Sequence, residues 1–384
     1  MIYLDYAATA PLDPRVLDAM LPWLREQHGN PASEHGPGRA ARKAVEAARA
    51  QVAAAVGAEA QEIIWTSGAT ESNNLALKGA LEFRGQQRAH VVTSRTEHKS
   101  VLDVCRHLET LGTRVTYLKP QSDGRVLTEQ VLDALNPETA LVSLMWVNNE
   151  TGVINEVEKL APALRERGIL FHVDAVQAAG KLPISLAQTP IDLLSLSAHK
   201  LCGPKGVGAL YVRKRPRARL APQIHGGGHE QGMRSGTLAT HQIAGMGAAC
   251  CIAAAELAAE AARLGQLREG LWRGLQALNK IHLNGAAAPR AAHILNVSFE
   301  GVEGESLRAM LDDVALSSGS ACSSATKEPS YVLRALGRDD ELAGSSLRFS
   351  FGRFSTAAEL EETAAKVIKA VTWLRELSPA WPAP

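Results

Sequence analysis

Five places in this sequence put a reactive or charge-bearing side chain where a fold could use it. In "TSGATESNN", Thr66 to Asn74, a short apolar run gives way to small residues and then a helix-forming segment. The first N–H groups of a helix have no partner within it, so with the Thr70 hydroxyl they would make an anion site suited to phosphate. A plain helix cap by Thr70 or Ser67 is the alternative. In "FHVDAVQAAG", Asp174 closes an apolar run and Gln177 lies nearly one helical turn later. A carboxylate there is costly unless it meets a cation or several donors. It would either cap the next helix or hold a pyridine nitrogen protonated, which makes the ring an electron sink. In "SLSAHKLCGPKG", Lys200 follows a leucine-rich run, with Ser197 and His199 beside it. Desolvation would free its amine to form a Schiff base with an aldehyde, where a solvated lysine is the common alternative. In "SRTEHKSV", His98 could stack over a flat group and carry protons, or cap the following helix. The fifth place is "SSGSACSSATKEPS", Ser317 to Ser330, where Cys322 stands among small and hydroxylated residues. Cysteine is ordinarily a buried small hydrophobe. Here the composition reads as a mobile, solvated loop that displays a thiol.

The elements between these places decide whether they can meet. "EIIWTSG", "AHVVTS", "RVTYL", "ALVSLMWV", "ILFHVDA", "DLLSLSAHK" and "GALYV" are near-continuous apolar runs of strand length. Helical patterns such as "GRAARKAVEAARAQVAAAVG", "HKSVLDVCRHLETLG" and "EVEKLAPALRERG" separate several of them. That alternation predicts an α/β fold with a mainly parallel, seven-stranded sheet covered on both faces. Ligands bind beyond the carboxyl ends of such strands. Asn148 and Asn149, in "WVNNETG", add neutral amides at one more strand end. One crevice would then hold a phosphate cradle, an aspartate, an amine and a histidine, the set that pyridoxal 5'-phosphate requires. A long alanine-rich segment from about residue 243 to 278 leads to "HILNVSF", "VALSSGS" and "SSLRFSF", which read as a smaller α+β domain. The expected division is 15–255 for the large domain, with 1–14 and 256–384 forming the small one.

Composition narrows the field further. The 384 residues exceed what one compact core usually holds. The apolar and charged fractions, 46% and 21%, are ordinary for a globular chain, and a net charge of +1 gives no reason to expect nucleic acid or an anionic membrane as partner. No apolar run looks long enough to span a bilayer, and "MIYLDYAATAPLD" lacks the regions of a signal peptide. The five cysteines, Cys105, Cys202, Cys250, Cys251 and Cys322, have no regular spacing, which argues against a disulfide framework or a zinc site. The expectation is a cytoplasmic protein with reduced thiols and no intrinsic metal.

The chain resembles the cysteine desulfurases of the IscS/NifS group, within the class V aminotransferases and the fold-type I pyridoxal-phosphate enzymes. The resemblance runs from "YLDYAATAPLDPRV" to "LRELSP" and includes "TSGATESNNLA", "TEHKSVLD", "VNNETGV", "HVDAVQ", "SAHKLCGPKG", "HGGGHEQGMRSGT", "SSGSACSS" and "EPSYVLRALG". It implies removal of sulfur from L-cysteine to leave L-alanine, with Lys200 the Schiff-base lysine, His98 the stacked acid/base residue and Cys322 the sulfur acceptor. It implies Asp174 at the pyridine nitrogen, with Gln177 and Asn149 on the phenolic-oxygen side. Ala69, Thr70, Ser197 and His199 would hold the phosphate, joined by Thr237 from a second copy in a homodimer with shared sites. Arg348 would bind the substrate carboxylate, with Asn149 and Asn30 beside it. A mobile loop lets the Cys322 persulfide pass to an iron–sulfur scaffold or to tRNA thiolation proteins. With a scaffold docked, Cys322 would be a transient 2Fe-2S ligand.

Two departures stand out. Cys202 occupies a position where this branch is expected to have tyrosine, and it reads as inert packing. Relatives also continue past "SPAWPAP" with a tail that docks the scaffold. Selenocysteine lyase, class V aminotransferase and a non-catalytic interaction platform are the rival readings. The retention of Lys200, His98, Asp174 and Cys322 together weighs against the last.

Overall fold

The computed structural model describes residues 1–85, 89–317, 328–378 and 381. After β1 (Ile2–Tyr3), α1 (Pro14–Arg25) and α2 (Gly36–Val56), the chain enters the apolar runs. These become β2 (Ile63–Thr66), β3 (His90–Ser94), β4 (Arg114–Leu118), β5 (Thr139–Ser143), β6 (Leu170–Asp174), β7 (Leu193–Ser197) and β8 (Gly208–Val212). Helices α3 (Ala69–Phe83), α4 (Lys99–Thr110), α5 (Thr128–Asp133) and α6 (Val157–Glu166) provide the crossovers that parallel strands need.

The strands form one seven-stranded sheet in the order β2-β8-β7-β6-β5-β3-β4. Only β8 runs against its neighbours; the pairs β7–β6, β6–β5, β5–β3 and β3–β4 are all parallel. Because β8 is antiparallel to both β2 and β7, β2 points the same way as β3 to β7. Alternate residues feed the two faces, as the pleat requires. Trp65, Val92, Val142, Phe171 and Leu194 join one apolar core, while Ile64, Val91, Leu141, Leu170 and Leu193 join the other.

Beyond α7 (Thr240–Leu275) follow β9 (Ile281–Leu283), β10 (Ile294–Phe299), α8 (Gly304–Ala309) and β11 (Val314–Ala315). Then come α9 (Tyr331–Ala335), α10 (Asp340–Gly344), β12 (Ser346–Ser350) and α11 (Ala357–Leu377). Strands β12, β10 and β9 make an antiparallel sheet of three, and β1 pairs with β11. A separate core forms here from Leu295, Val297, Phe299, Leu347 and Phe349 against Leu264, Leu271 and Val367. Part of "VALSSGS" and the whole segment 318–327 lie outside the described residues.

One expectation needs correction. Helix α7 does contain an 18-residue window of mean hydropathy 1.5 with at most two charged residues, long and apolar enough by length and composition to cross a membrane. Its hydropathy comes from alanine with isoleucine, cysteine, leucine and methionine, and Gly247 serves close packing. A Cβ on Gly247 would sit 2.8 Å from Ala48 Cα in α2. The helix places Ile243, Met246 and Cys250 in the large-sheet core and Leu264, Leu271 and Leu275 in the second core.

A buried histidine ties the sheet centre together. His172 on β6 has its Nδ1 2.8 Å from Ser143 Oγ on β5 and its Nε2 3.0 Å from Ser195 Oγ on β7. Burial lowers its pKa to about 4, with Asp174 opposing the shift weakly. Between pH 4 and the unfolded value near 6.5 the unfolded chain binds more protons, so stability falls as pH falls through that window. Urea unfolding at pH 7 and pH 5 should show an acid penalty to which this group adds roughly 2 kcal/mol. His172→Gln should shrink the difference between the two pH values by about that amount.

Candidate active site

The carboxyl ends of β2, β3, β6 and β7, together with the chain beyond β5, open on one cavity of about 490 Å³. Ala69, Thr70, His98, Asn149, Asp174, Gln177, Ser197, His199, Lys200 and Arg348 all line it. Asn30 and Thr237 do not, and both are exposed. The Asn30 amide oxygen is committed to a local turn, accepting from the Ala32 N–H at 2.9 Å. Cys322 lies outside the described residues.

The start of α3 resolves the first ambiguity of the sequence. Gly68 is its N-cap and no side chain caps the first turn. Thr66 Oγ1 instead lies 2.8 Å from Ser72 Oγ, and Ser67 donates its N–H to Glu71 at 2.8 Å. The uncapped turn, residues 68–71, is therefore cavity wall, with its positive dipole end available to an anion. A Cβ on Gly208 would come 2.7 Å from Gly68 Cα, so only glycine on β8 lets this loop seat. His199 adds a neutral donor: burial, then Lys200 and Lys205, lower its pKa to about 4. Its Nδ1 lies 3.2 Å from Thr9 Oγ1.

Asp174 and His98 are parts of one buried network. Asn73 Nδ2 donates to Asp174 Oδ2 at 2.9 Å and to Ser100 Oγ at 2.8 Å. Ser100 Oγ lies 2.8 Å from His98 Nδ1, which also accepts the Ser100 N–H at 3.1 Å. His98 does cap α4, and the cap fixes the ring: with Nδ1 as acceptor, proton exchange runs through Nε2. Asp174 also accepts from the Val176 N–H at 3.1 Å. The cap reading thus holds for His98, while Asp174 caps a turn, since no helix follows β6.

On the opposite wall, Lys200 Nζ donates to the Ala7 and Ala8 carbonyls, each at 2.5 Å. Gln177 Nε2 donates to the Ala7 carbonyl at 3.0 Å. The Arg348 guanidinium donates to the Asn149 carbonyl at 3.0 Å and to Asp5 at 2.8 Å. Cys202 packs with Tyr6 and Ala10, and burial raises its thiol pKa, so it stays protonated.

Several contributors escaped the sequence reading. Glu97 is fully buried, accepting the Met145 N–H at 2.7 Å. Burial pushes its carboxyl well above the usual range, and Asp174 adds to this. Glu150 is buried too and takes the Ser330 hydroxyl at 2.5 Å. Burial raises its pKa against the pull of Ser330 and Arg348. These glutamates sit inside polar segments, where a carboxylate reads as a solvated surface group. Both ends of the segment carrying Cys322 are bonded to this site. Ser317 accepts the Arg348 N–H at 2.8 Å, and the Tyr331 hydroxyl donates to the Glu97 carbonyl at 2.7 Å.

The donor set fits pyridoxal phosphate. It offers an uncapped helix start with neutral hydroxyl and imidazole donors for a phosphate, a seated carboxylate for a ring nitrogen, and an amine. Asn149, whose amide oxygen is buried without a protein hydrogen-bond partner, has one amide end left for a bound group.

Residues 2–362 match the family model described as aminotransferase class-V. The chain belongs to that family. Over 382 residues it is 56% identical to a cysteine desulfurase IscS of Methylobacillus flagellatus, spanning 99% of this chain and 94% of that protein. Among solved structures it is similar to a NifS-like protein at 36% identity and a TM-score of 0.90, covering 97% of this chain and 99% of the other. It is also similar to SspA in complex with cysteine, at 36% identity and a TM-score of 0.83, covering 93% and 100%. Within the class-V family its place is the IscS/NifS group of cysteine desulfurases, whose members use pyridoxal phosphate in general.

The Asn73 amide serves a buried carboxylate and a half-buried hydroxyl, so its loss should be costly. Asn73→Leu should destabilise the protein by about 1–3 kcal/mol, read from the urea midpoint.

Proposed function

We propose that the protein is a pyridoxal-phosphate-dependent cysteine desulfurase. It takes sulfur from L-cysteine, leaves L-alanine and holds the sulfur as a persulfide on Cys322. The observation that carries this reading is the convergence of Lys200, Asp174, His98, the uncapped start of α3 and Arg348 on one cavity. When bound, pyridoxal phosphate supplies an aldehyde for amines and an electron-withdrawing ring that eases bond breaking around the substrate α-carbon.

The chain's own residues do the rest. Ala69, Thr70, Ser197 and His199 hold the phosphate, with the partner subunit's Thr237 completing the cradle in a homodimer. Asp174, steadied by Asn73, keeps the ring nitrogen protonated. Asn149 and Gln177 face the phenolic oxygen. Lys200 would tether the cofactor through its amine and, as a free amine, would take the proton from the substrate Cα. Arg348, its guanidinium oriented by Asp5 and the Asn149 carbonyl, pairs with the substrate carboxylate, a geometry that favours arginine. Asn30 is assigned to the same carboxylate by motif alone. His98 exchanges a proton with the reacting sulfur centre through Nε2. The Cys322 thiolate attacks the substrate sulfur: an S–S bond forms, the C–S bond breaks, and its electron pair stays with the three-carbon fragment that leaves as alanine.

The division into a cofactor-holding unit, 15–255, and a unit of 1–14 with 256–384 belongs to the same proposal. The separate apolar core of the second unit supports it. Cytoplasmic location and delivery of sulfur to an iron–sulfur scaffold or to tRNA thiolation proteins are further parts of the proposal and rest on the family resemblance.

Borohydride reduction of the loaded protein followed by peptide mapping should place the adduct on Lys200. Lys200→Ala should lower alanine formation roughly 10²–10⁴-fold. Cys322→Ser should keep the visible absorbance of the cofactor while losing the persulfide, detected by mass. An adduct elsewhere, or full sulfide release by Cys322→Ser, overturns the assignment.

A further inference from the structure

Gln177 stands in the cavity wall just after β6, and two contacts fix its amide. Its Nε2 lies 3.0 Å from the Ala7 carbonyl and its Oε1 lies 3.2 Å from His293 Nε2. A carbonyl only accepts, so the amide end facing Ala7 is the nitrogen. The oxygen therefore faces His293, and an imidazole nitrogen opposite an amide oxygen must carry the proton. His293 is thus the Nε2–H tautomer. Its Nδ1 is buried with no hydrogen-bond partner, as a nitrogen that carries no hydrogen allows. A second proton is disfavoured by burial and by the nearby charges of Lys181, Arg268 and Arg348, so the ring stays neutral.

His293 directly precedes β10, and its carbonyl accepts the Phe351 N–H at 3.1 Å. The imidazole is therefore built into the three-stranded sheet, while Gln177 belongs to the large one. One hydrogen bond to Ala7 would leave the Gln177 amide able to swivel about that contact. A second contact at the other end fixes its plane. With one N–H given to Ala7, the remaining N–H is held for the cavity.

We propose that His293 is a positioning residue for the cofactor: its Nε2–H pins the Gln177 amide so that an N–H stays aimed at the phenolic oxygen of bound pyridoxal phosphate. This rests on the reading of the cavity given above. A donor held on that oxygen favours the proton-poor form of the bound cofactor. Releasing the amide therefore raises the pH at which the visible absorbance band titrates.

The test uses the loaded full-length protein. His293→Leu removes the donor, and His293→Met, which refills the space flexibly, is measured beside it so that a folding failure of one leaves the other to be read. His293→Gln restores an N–H at similar reach. The apolar variants should shift the absorbance midpoint up by about half a unit or more, roughly threefold in proton affinity. They should also bind pyridoxal phosphate roughly threefold to tenfold more weakly in equilibrium titration. His293→Gln should return both values towards those of the unaltered protein. Apolar variants with an unchanged midpoint, or a glutamine variant that behaves as they do, overturn the proposal. An unaltered protein that shows no visible band would instead overturn the cofactor reading itself.

Discussion

The strands that deliver side chains to the cavity share one direction, and that common polarity is what gathers Thr70, His98, Asn149, Asp174 and Lys200 at one edge of the sheet. These residues are spread over more than a hundred positions, so no local preference could bring them together. The reversal at β8 completes the arrangement. Entering the sheet between β7 and β2, and running against both, it lets the edge strand β2 keep the common direction. The start of α3 thereby meets the residues that follow β6 and β7. The chain that follows β2 to β7 turns towards helices or tight loops at this edge, so uncapped N–H groups and polar side chains collect where ligands can use them.

That gathering has an electrostatic cost which the structure manages with neutral partners. Asp174 and Glu97 repel each other, and Glu150 is buried in the wall of the same cavity, so ionised carboxylates here are costly. The structure separates their roles. Asp174 receives donors from Asn73 and Val176. Glu97 receives the Met145 N–H at its carboxylate and is pushed towards the protonated form, while Glu150 is raised by burial but drawn back by Ser330 and Arg348. Neutral imidazoles at His172 and His199 add hydrogen bonding without adding charge. Asp174, seated by Asn73 and Val176, is the carboxylate that the proposed function assigns to the ring nitrogen of an electron-withdrawing pyridinium.

Much of this could be read from the sequence because its signals are local. The seven strands are short apolar runs between helical segments, and all seven appear where those runs lie. The lining residues sit at run ends, so topology alone brings them together. Helix α7 went unnoticed as a long apolar helix because its alanines and glycines break up any visible apolar run, although its window average is high. Asn73, Ser100 and His293 were invisible for another reason. Each acts through a partner at long range, and an asparagine on a helix or a histidine before a strand has no sequence mark of what it faces. Asp5 was hidden inside a motif that pointed elsewhere. Cys322 was read from composition and resemblance, and it lies outside the described residues.

The N-terminal segment shows how far the site depends on chain that carries no chemistry of its own. Between residues 5 and 10, backbone and short side chains reach four of the functional groups. The Ala7 and Ala8 carbonyls hold the Lys200 amine, and Ala7 also takes the Gln177 amide. Asp5 takes the Arg348 guanidinium, Thr9 meets His199, and the Ala10 N–H donates to the His199 carbonyl at 2.8 Å. The segment is itself fixed to β12, since Ser350 accepts the Ala7 N–H at its hydroxyl and donates its own N–H to the Leu4 carbonyl. A substrate carboxylate at Arg348 and an amine at Lys200 would thus be read against one short stretch of backbone, anchored to the same strand that carries Arg348. Distances between the two groups are then set by a few bonded residues rather than by the packing of two separate cores, and the tolerance on substrate length is correspondingly tight.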